Sequence, residues 1–336
     1  MLPFYWLFPT PATIQVLQAA IITSAVIPLW KVGARHGLTG VQRILLCATL
    51  LLCPAYSGGT SYDMHENCFL TPLLLWLFYG IDGKNTIATA ASSMLTLTVK
   101  EDAAVYVAVI ALWLIVKSIL RFKKPDVHSL ITGITMLLVS LCWFFAATGY
   151  LTECGDGVMT YRYENFQYTF GSIAFLFYLT VVNLSDMQID RRRTIALAAA
   201  AIVSAACFCK ITVPRAIFYP VRAIQYDNYY KKIRTALDTV PAGASVTAST
   251  FYTTQLSQRE TLYDVRYCSQ EHLPETEYVV LALSANSDYA KYAAGGKDNG
   301  LDQMVTLLDE NGYKQFLTLK NVLIIYQKQG VSPGKI

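Results

Sequence analysis

Three side chains that could bind a metal ion or move a proton stand close together near the start of the chain: Asp63, His65 and Glu66. They lie in the stretch Gly58-Gly-Thr-Ser-Tyr-Asp-Met-His-Glu-Asn67, which interrupts a series of apolar segments. Carboxylates and imidazoles between hydrophobic segments are typical of metal sites and proton-transfer sites. We therefore predict that these three residues act in catalysis and hold a divalent cation, although their spacing does not name the ion. The alternative is a solvated loop in which Glu66 caps the next helix.

A second polar group, Lys100-Glu101-Asp102, separates two later apolar segments. Lys100 is predicted to bind a lipid phosphate, and Glu101 or Asp102 to complete the catalytic site from the same membrane face as Glu66. In the alternative interpretation the two carboxylates only stabilise the positive end of the helix that follows.

A third group, Tyr161-Arg162-Tyr163, lies in another polar stretch. Arg162 suits a phosphate contact, and Tyr161 and Tyr163 could stack on a sugar. Tyrosines of an interfacial aromatic belt would look the same. His36, beside Lys31 and Arg35, is expected in a solvated loop.

The composition is that of a membrane protein with a soluble part. Apolar residues make up 54% of the chain and charged residues 15%, against roughly 45–50% and about 25% in soluble domains. The net charge of +4 is small and scattered, so no nucleic-acid partner is indicated. The expected partners of this apolar chain are membrane lipids.

The apolar runs predict a polytopic helical domain of about six to eight spans, of which five reach the length that a bilayer requires. The short pair at 69–99 could be a re-entrant hairpin, and in either case both of its ends lie on one side. The runs are 12–30, 41–56, 69–80, 85–99, 103–120, 129–149, 167–185 and 194–213.

Basic residues mark alternate loops, which the positive-inside rule places in the cytoplasm of a plasma-membrane protein. These residues are Lys31, Arg35, Arg43, Lys84, Lys117, Arg121, Lys123, Lys124 and Arg191 to Arg193. The three candidate groups, Met1 and everything after about 214 are then expected on the outer side. Cys68, Cys154 and Cys268 would face outward as well, where two of them could form a disulfide.

After residue 221 the pattern becomes that of a soluble α/β domain, so we predict a transmembrane domain at 1–221 and an extracytoplasmic domain at 222–336. A helix is expected at 226–239 and another at 301–308, before Asn311-Gly312. Strands are expected at 246–249, 262–265 and 278–283, with a hairpin formed by 316–319 and 322–326.

Several motifs resemble a bacterial family of predicted membrane proteins, the domain of unknown function 2079, which is grouped with the GT-C glycosyltransferases. They are Phe4-Tyr-Trp-Leu-Phe-Pro-Thr-Pro11, Gln15-Val-Leu-Gln-Ala19, Tyr62-Asp-Met-His-Glu66, Phe69-Leu-Thr-Pro-Leu73, Val99-Lys-Glu-Asp102, Met159-Thr-Tyr-Arg-Tyr163, Gln167-Tyr-Thr-Phe-Gly-Ser-Ile-Ala-Phe175, Ala244-Ser-Val-Thr-Ala-Ser249 and Leu256-Ser-Gln-Arg259. By analogy, the resemblance implies a GT-C-like fold and transfer of a sugar from a polyprenyl-phosphate donor at the outer membrane face.

The resemblance also implies an upstream helix with an external loop that carries the catalytic Asp of GT-C enzymes, and further spans between the equivalents of Tyr163 and Gln167. No residue of this chain takes that Asp role, so we expect an amino-terminally truncated and internally shortened form of a longer active protein. Two other functions stay open: a transporter or flippase of a lipid-linked or polar substrate, and an inactive membrane anchor.

Overall fold

The computed structural model describes residues 2–58, 65–120, 126–154, 169–267, 275–284, 289 and 300–330, without the side chains of 2, 11 and 150–154. The chain forms two compact units, Met1–Tyr219 and Pro220–Ile336.

The first unit is built from helices. They are α1 (Leu2–Leu7), α2 (Pro11–Ser24), α3 (Val26–Arg35), α4 (Gly40–Leu52), α5 (Pro54–Ser57), α6 (Leu70–Asp82), α7 (Thr86–Leu97), α8 (Ala103–Leu120), α9 (Val127–Cys154), α10 (Phe170–Asp186) and α11 (Asp190–Gln225), which runs on into the second unit. A short 3₁₀ helix, Glu66–Phe69, precedes α6.

Four helical segments in the described residues are long and apolar enough to cross a membrane: Ala12–Arg35, Ala103–Leu120, Val127–Gly149 and Asp190–Gln225. The sequence predicted a fifth at 167–185, but α10 has 17 residues, at the lower limit of what a bilayer needs. The polytopic helical architecture is therefore confirmed, while the number of spans stays a prediction.

Helices α6 and α7 form a hairpin inside this unit. Helix α6 has 13 residues and α7 has 12, so each rises roughly 20 Å, less than the ~30 Å of a hydrocarbon core. Residues on all sides of α6 are buried, among them Leu74, Leu77 and Phe78, as expected of a helix that is apolar all round and enclosed by other helices. Its neighbours include α3, α7 and α10.

The turn of the hairpin is set by two residues. Lys84 adopts the left-handed conformation, with φ of 50°, which ends α6. The side chain of Asn85 then accepts a hydrogen bond from the Ala88 N–H and caps α7. The hairpin brings the start of α6 and the end of α7 to the same end of the unit.

Contacts join the basic loops at the other end. The Arg35 guanidinium donates to the Tyr79 carbonyl, Lys84 Nζ lies 2.7 Å from Asp126 Oδ2, and Gln42 Nε2 lies 3.2 Å from Thr194 Oγ1. We call this the basic end, and we call the end with Glu66, Glu101 and Asp102 the acidic end.

The second unit is an α/β domain with a five-stranded sheet in the order β2-β1-β3-β5-β4. Its elements are α12 (Asp227–Leu237), β1 (Val246–Ala248), α13 (Thr250–Leu256), β2 (Leu262–Asp264), β3 (Tyr278–Ala282), α14 (Gly300–Glu310), β4 (Tyr313–Leu319) and β5 (Leu323–Lys328). Strands β2, β1 and β3 are parallel, whereas β5 is antiparallel to both β3 and β4. These elements confirm the predicted helices, strands and closing hairpin.

The central strand β3 is buried along its whole length, because helices cover both faces of the sheet. Leu237 of α12 and Leu256 of α13 pack with one face, and Met304 and Leu308 of α14 pack with the other.

A closed ring of three hydrogen bonds ties the carboxyl ends of β1 and β3. Tyr289 Oη donates to the Ala282 carbonyl over 2.7 Å, and the Ala282 N–H donates to Ser249 Oγ over 2.9 Å. The Tyr289 proton is thereby used, so the Ser249 hydroxyl donates across the remaining 2.8 Å to Tyr289 Oη.

The packing of α6 against α7 gives a first prediction. A Cβ atom at Gly80 would lie 2.7 Å from Thr89 Oγ1 and 2.8 Å from the Thr89 nitrogen, whereas one at Gly149 in α9 would have no heavy atom within 4 Å. Gly80→Ala should lower the free energy of unfolding by about 1–3 kcal/mol through overpacking. Gly149→Ala is the matched control, since alanine favours a helix by about 1 kcal/mol over glycine. Thermal unfolding of the purified protein in detergent measures both, and equal stability of the two variants would contradict the close packing.

Candidate functional site

The acidic end brings two of the predicted groups together. His65 precedes the 3₁₀ helix that starts at Glu66, and Lys100 lies in the turn between α7 and α8. Lys100 Nζ is 3.5 Å from Glu66 Oε1, and these side chains are 23% and 42% exposed. This ion pair shows that the two ends of the 69–99 segment lie together at one end of the helical unit, as the prediction requires.

Glu66 therefore does not cap α6 in the way that the alternative interpretation requires. Helix α6 begins at Leu70, and its amino-terminal residues have no side-chain cap. Glu66 instead extends to a lysine that follows the hairpin, so both charges remain accessible beside the apolar segments.

Asp102, directly before α8, is a partly buried carboxylate of this group. Burial raises the pKa of Asp102 above its ordinary value; Lys100 opposes this effect, while Glu101 and Glu66 add to it. Its Oδ1 atom is buried, and no donor in the described part of the chain reaches it. A protonated carboxyl would carry a hydrogen-bond donor at this position.

Sequence reasoning missed Asn67, although it lies in the predicted stretch. Its side chain is 2% exposed, and its Oδ1 atom likewise has no hydrogen-bond partner among the described residues. The acidic end thus carries two buried oxygens that could accept hydrogen bonds from a ligand. The signal in the sequence was an amide side chain directly after His65 and Glu66.

Cys68 differs from expectation. It is buried and unoxidised, and burial raises the pKa of its thiol to about 12. It lies in the apolar core of the helical unit and not in solvent, while the side of the membrane on which it lies stays a prediction. Cys268 and the side chain of Cys154 lie outside the described residues.

Four of the predicted site residues lie outside the described residues: Asp63, Tyr161, Arg162 and Tyr163. Within the described ranges, no group of three or more His, Cys, Asp or Glu side chains could hold a metal ion. The predicted cation site at Asp63, His65 and Glu66 depends on Asp63 and stays a prediction.

The basic end holds a polar cluster that the sequence did not reveal. Asp82, the last residue of α6, lies with Oδ2 2.8 Å from His36 Nε2 and accepts a hydrogen bond of 2.7 Å at Oδ1 from Tyr178 Oη. His36 lies in the turn after α3, as expected, but it is not simply solvated, since its side chain is 22% exposed and bound to a carboxylate. His36 and Tyr178 are far from Asp82 in the sequence, so no local pattern connects the three.

The four long apolar helical segments and the enclosed hairpin define the class: this is a membrane protein with several apolar helices. Residues 1–153 match the model of a family described as predicted membrane protein (DUF2079), which confirms the predicted resemblance over that part of the chain. No curated protein and no solved structure matches the chain. The matched segment contains His65, Glu66 and the Lys100 turn.

The environment of Asp102 gives a second prediction. Because its folded-state pKa is raised, the folded protein loses stability relative to the unfolded chain as the pH rises from the ordinary carboxyl pKa through the raised value. Asp102→Asn should therefore unfold at a higher temperature than the wild type at neutral pH, and the difference should vanish below about pH 4.

Two neighbouring variants check the cause of this shift. Glu66→Gln should lower the pKa of Asp102 and move the pH-dependent loss of stability to lower pH, whereas Lys100→Gln should move it to higher pH. Thermal unfolding in detergent across pH 3.5–8 measures all three variants. A pH-independent difference between Asp102→Asn and wild type would contradict the assignment.

Proposed function

We propose that this chain is an integral plasma-membrane glycosyltransferase of the GT-C type that transfers a sugar from a polyprenyl-phosphate donor at the outer membrane face. The observation that carries the proposal is the ion pair between Glu66 and Lys100. It places a cation suited to a phosphate beside a group of carboxylates at one end of the helical unit.

The chemistry assigns a role to each side of this pair. Lys100 binds the donor phosphate and stabilises the charge that it gains when the bond between the sugar carbon and the phosphate oxygen breaks. Glu66, in place of the external-loop Asp of GT-C enzymes, accepts the proton of the acceptor hydroxyl as the new bond to the sugar carbon forms. The lipid phosphate leaves with the bond electrons.

The remaining predicted residues complete the proposed site. Asp102, with its raised pKa, donates a hydrogen bond to the phosphate when protonated. Asp63, His65 and Glu66 would hold a divalent cation, Arg162 would contact the phosphate, and the tyrosines at 161 and 163 would stack on the sugar. Glu101 adds a further carboxylate to the turn between α7 and α8.

The charge pattern supports the outer face as the location. The basic loops lie at the opposite end of the α6–α7 hairpin from Lys100, and an excess of Lys and Arg favours the cytoplasmic side. With the basic end inside, the acidic end and the second unit are outside.

A third prediction tests transfer in cells. In cells lacking this protein, a glycan modification of an envelope lipid or polymer should be lost, and expression of the wild type should restore it. Glu66→Gln and Lys100→Gln should each reduce the restored amount by about 10²-fold or more, the range of acid–base and electrostatic contributions. Lys232→Gln, which changes an exposed lysine of α12, is the matched control and should restore it fully.

Mass spectrometry of lipid and glycan extracts from the two membrane leaflets separates this proposal from its alternatives. An unmodified lipid-linked precursor that accumulates on the inner leaflet would indicate a flippase instead of a transferase. Unchanged extracts in deletion cells would indicate a membrane anchor.

A further inference from the structure

A polar cavity of about 140 Å³ opens at the basic end, away from the proposed transfer site. Residues from the α6–α7 turn, from the end of α8 and from the start of α9 line it. The lining includes two lysines, two aspartates and two serines: Lys84, Lys117, Asp82, Asp126, Ser118 and Ser129. Among the described lining residues, equal numbers of positive and negative groups favour a ligand that carries both charges.

Asp82 forms a fixed side of this cavity. Both of its carboxylate oxygens are bound, one by His36 and the other by Tyr178. Its side chain is 11% exposed, so it contributes negative potential without being free to move.

The pair formed by Lys84 and Asp126 is easier to open. The Lys84 side chain is 59% exposed although its Nζ lies 2.7 Å from Asp126 Oδ2, and exposed ion pairs of this kind add little stability. Asp126 also accepts hydrogen bonds from the Ser129 N–H and hydroxyl. Asp126 thus keeps both hydrogen bonds from Ser129 when the Lys84 side chain moves away to bind a ligand.

The backbone of Lys84 supports a role for its side chain. Its φ of 50° is unfavourable for a residue with a Cβ atom, and glycine or asparagine would occupy this position with less strain. Residues with backbone strain of this kind are found most often at binding and active sites. The bond from Lys84 also lowers the pKa of Asp126 to about 2, so this carboxylate is charged at neutral pH.

We propose that the cavity binds a phosphoethanolamine group, with its phosphate between Lys84 and Lys117 and its ammonium on Asp126. The zwitterion inserts between Lys84 and Asp126. Lys84 then pairs with the phosphate of the ligand instead of the Asp126 carboxylate, and Asp126 pairs with the ammonium of the ligand instead of the Lys84 ammonium. A lone anion would meet two carboxylates, and a lone cation would meet two ammonium groups, so neither is matched as well.

The same headgroup chemistry has two sources, a membrane phospholipid and a free phosphodiester. Lys117 lies at the end of the span Ala103–Leu120, with Nζ 4.5 Å from the centre of the Trp113 ring. A lysine at the end of a membrane helix is at the level of lipid headgroups. Lipid is therefore the expected source.

Native mass spectrometry of the full chain in detergent tests the proposal. Phosphatidylethanolamine, phosphatidylcholine and phosphatidylglycerol with identical acyl chains are added one at a time. The first should be retained at least about tenfold better than the others, because phosphatidylcholine has no N–H donor and phosphatidylglycerol has no cation. Lys84→Gln and Asp126→Asn should each remove this preference.

Two further variants separate binding from folding. Lys84→Gly relieves the left-handed strain and removes the charge, so it should be at least as stable as wild type and still lose the preference. Arg191→Gln removes an exposed cation at the same end but outside the cavity, and it should keep the preference.

The remaining outcomes are decisive as well. Equal retention of the three lipids, or a preference for phosphatidylglycerol that survives Asp126→Asn, would overturn the proposal. Displacement of bound phosphatidylethanolamine by glycerophosphoethanolamine would confirm headgroup recognition. Binding of that soluble compound without retention of the lipid would keep the site and change its source to a soluble metabolite.

Discussion

Close packing of α6 against α7 is the constraint on which the helical unit depends. Gly80 lets the Thr89 backbone approach within the distance that a side chain would occupy, and helices that approach this closely gain dispersion contacts along their length. The hairpin is too short to cross a bilayer by itself, and the enclosure of α6 by other helices compensates for this. Its length fixes the separation of the two polar ends, and its antiparallel course brings residues 66 and 100 together.

The charges of the helical unit follow from that geometry. An ionised group inside the hydrocarbon region costs several kcal/mol unless it is paired or reaches water. The ion pairs of Lys100 and of Lys84 accordingly lie at the two ends of the hairpin, outside its helices. Asp82, the most enclosed carboxylate of the basic end, has donors on both oxygens.

Sequence patterns predicted those features that depend on neighbouring residues. Alternating apolar residues and short turns gave the hairpin of β4 and β5, and Gly312, with φ of 78°, ends α14 as the sequence indicated. The grouping of Lys100 with Glu66 could also be predicted, because two consecutive short helices return the chain to the same membrane face. The cluster around Asp82 could not be predicted, since its partners His36 and Tyr178 come from distant parts of the sequence. In the sequence Asp82 only follows an apolar run. The burial of Cys68 was missed for the same reason: a polar stretch around it suggested solvent, whereas tertiary packing encloses the 3₁₀ helix.

The two ends of the hairpin use carboxylates in different ways, and this difference separates chemistry from binding. At the acidic end Asp102 and Asn67 have buried oxygens that no donor among the described residues satisfies, and such groups are costly unless a ligand or water supplies the missing bond. At the basic end both oxygens of Asp82 have protein donors, and Asp126 is bound by Lys84 and Ser129. A group that gains or loses a proton during a reaction needs a pKa matched to that task, and burial raises the pKa of Asp102. Charges held by protein partners instead suit recognition of a ligand whose own charges do not change, which supports the proposals of proton transfer at the acidic end and of headgroup binding at the basic end.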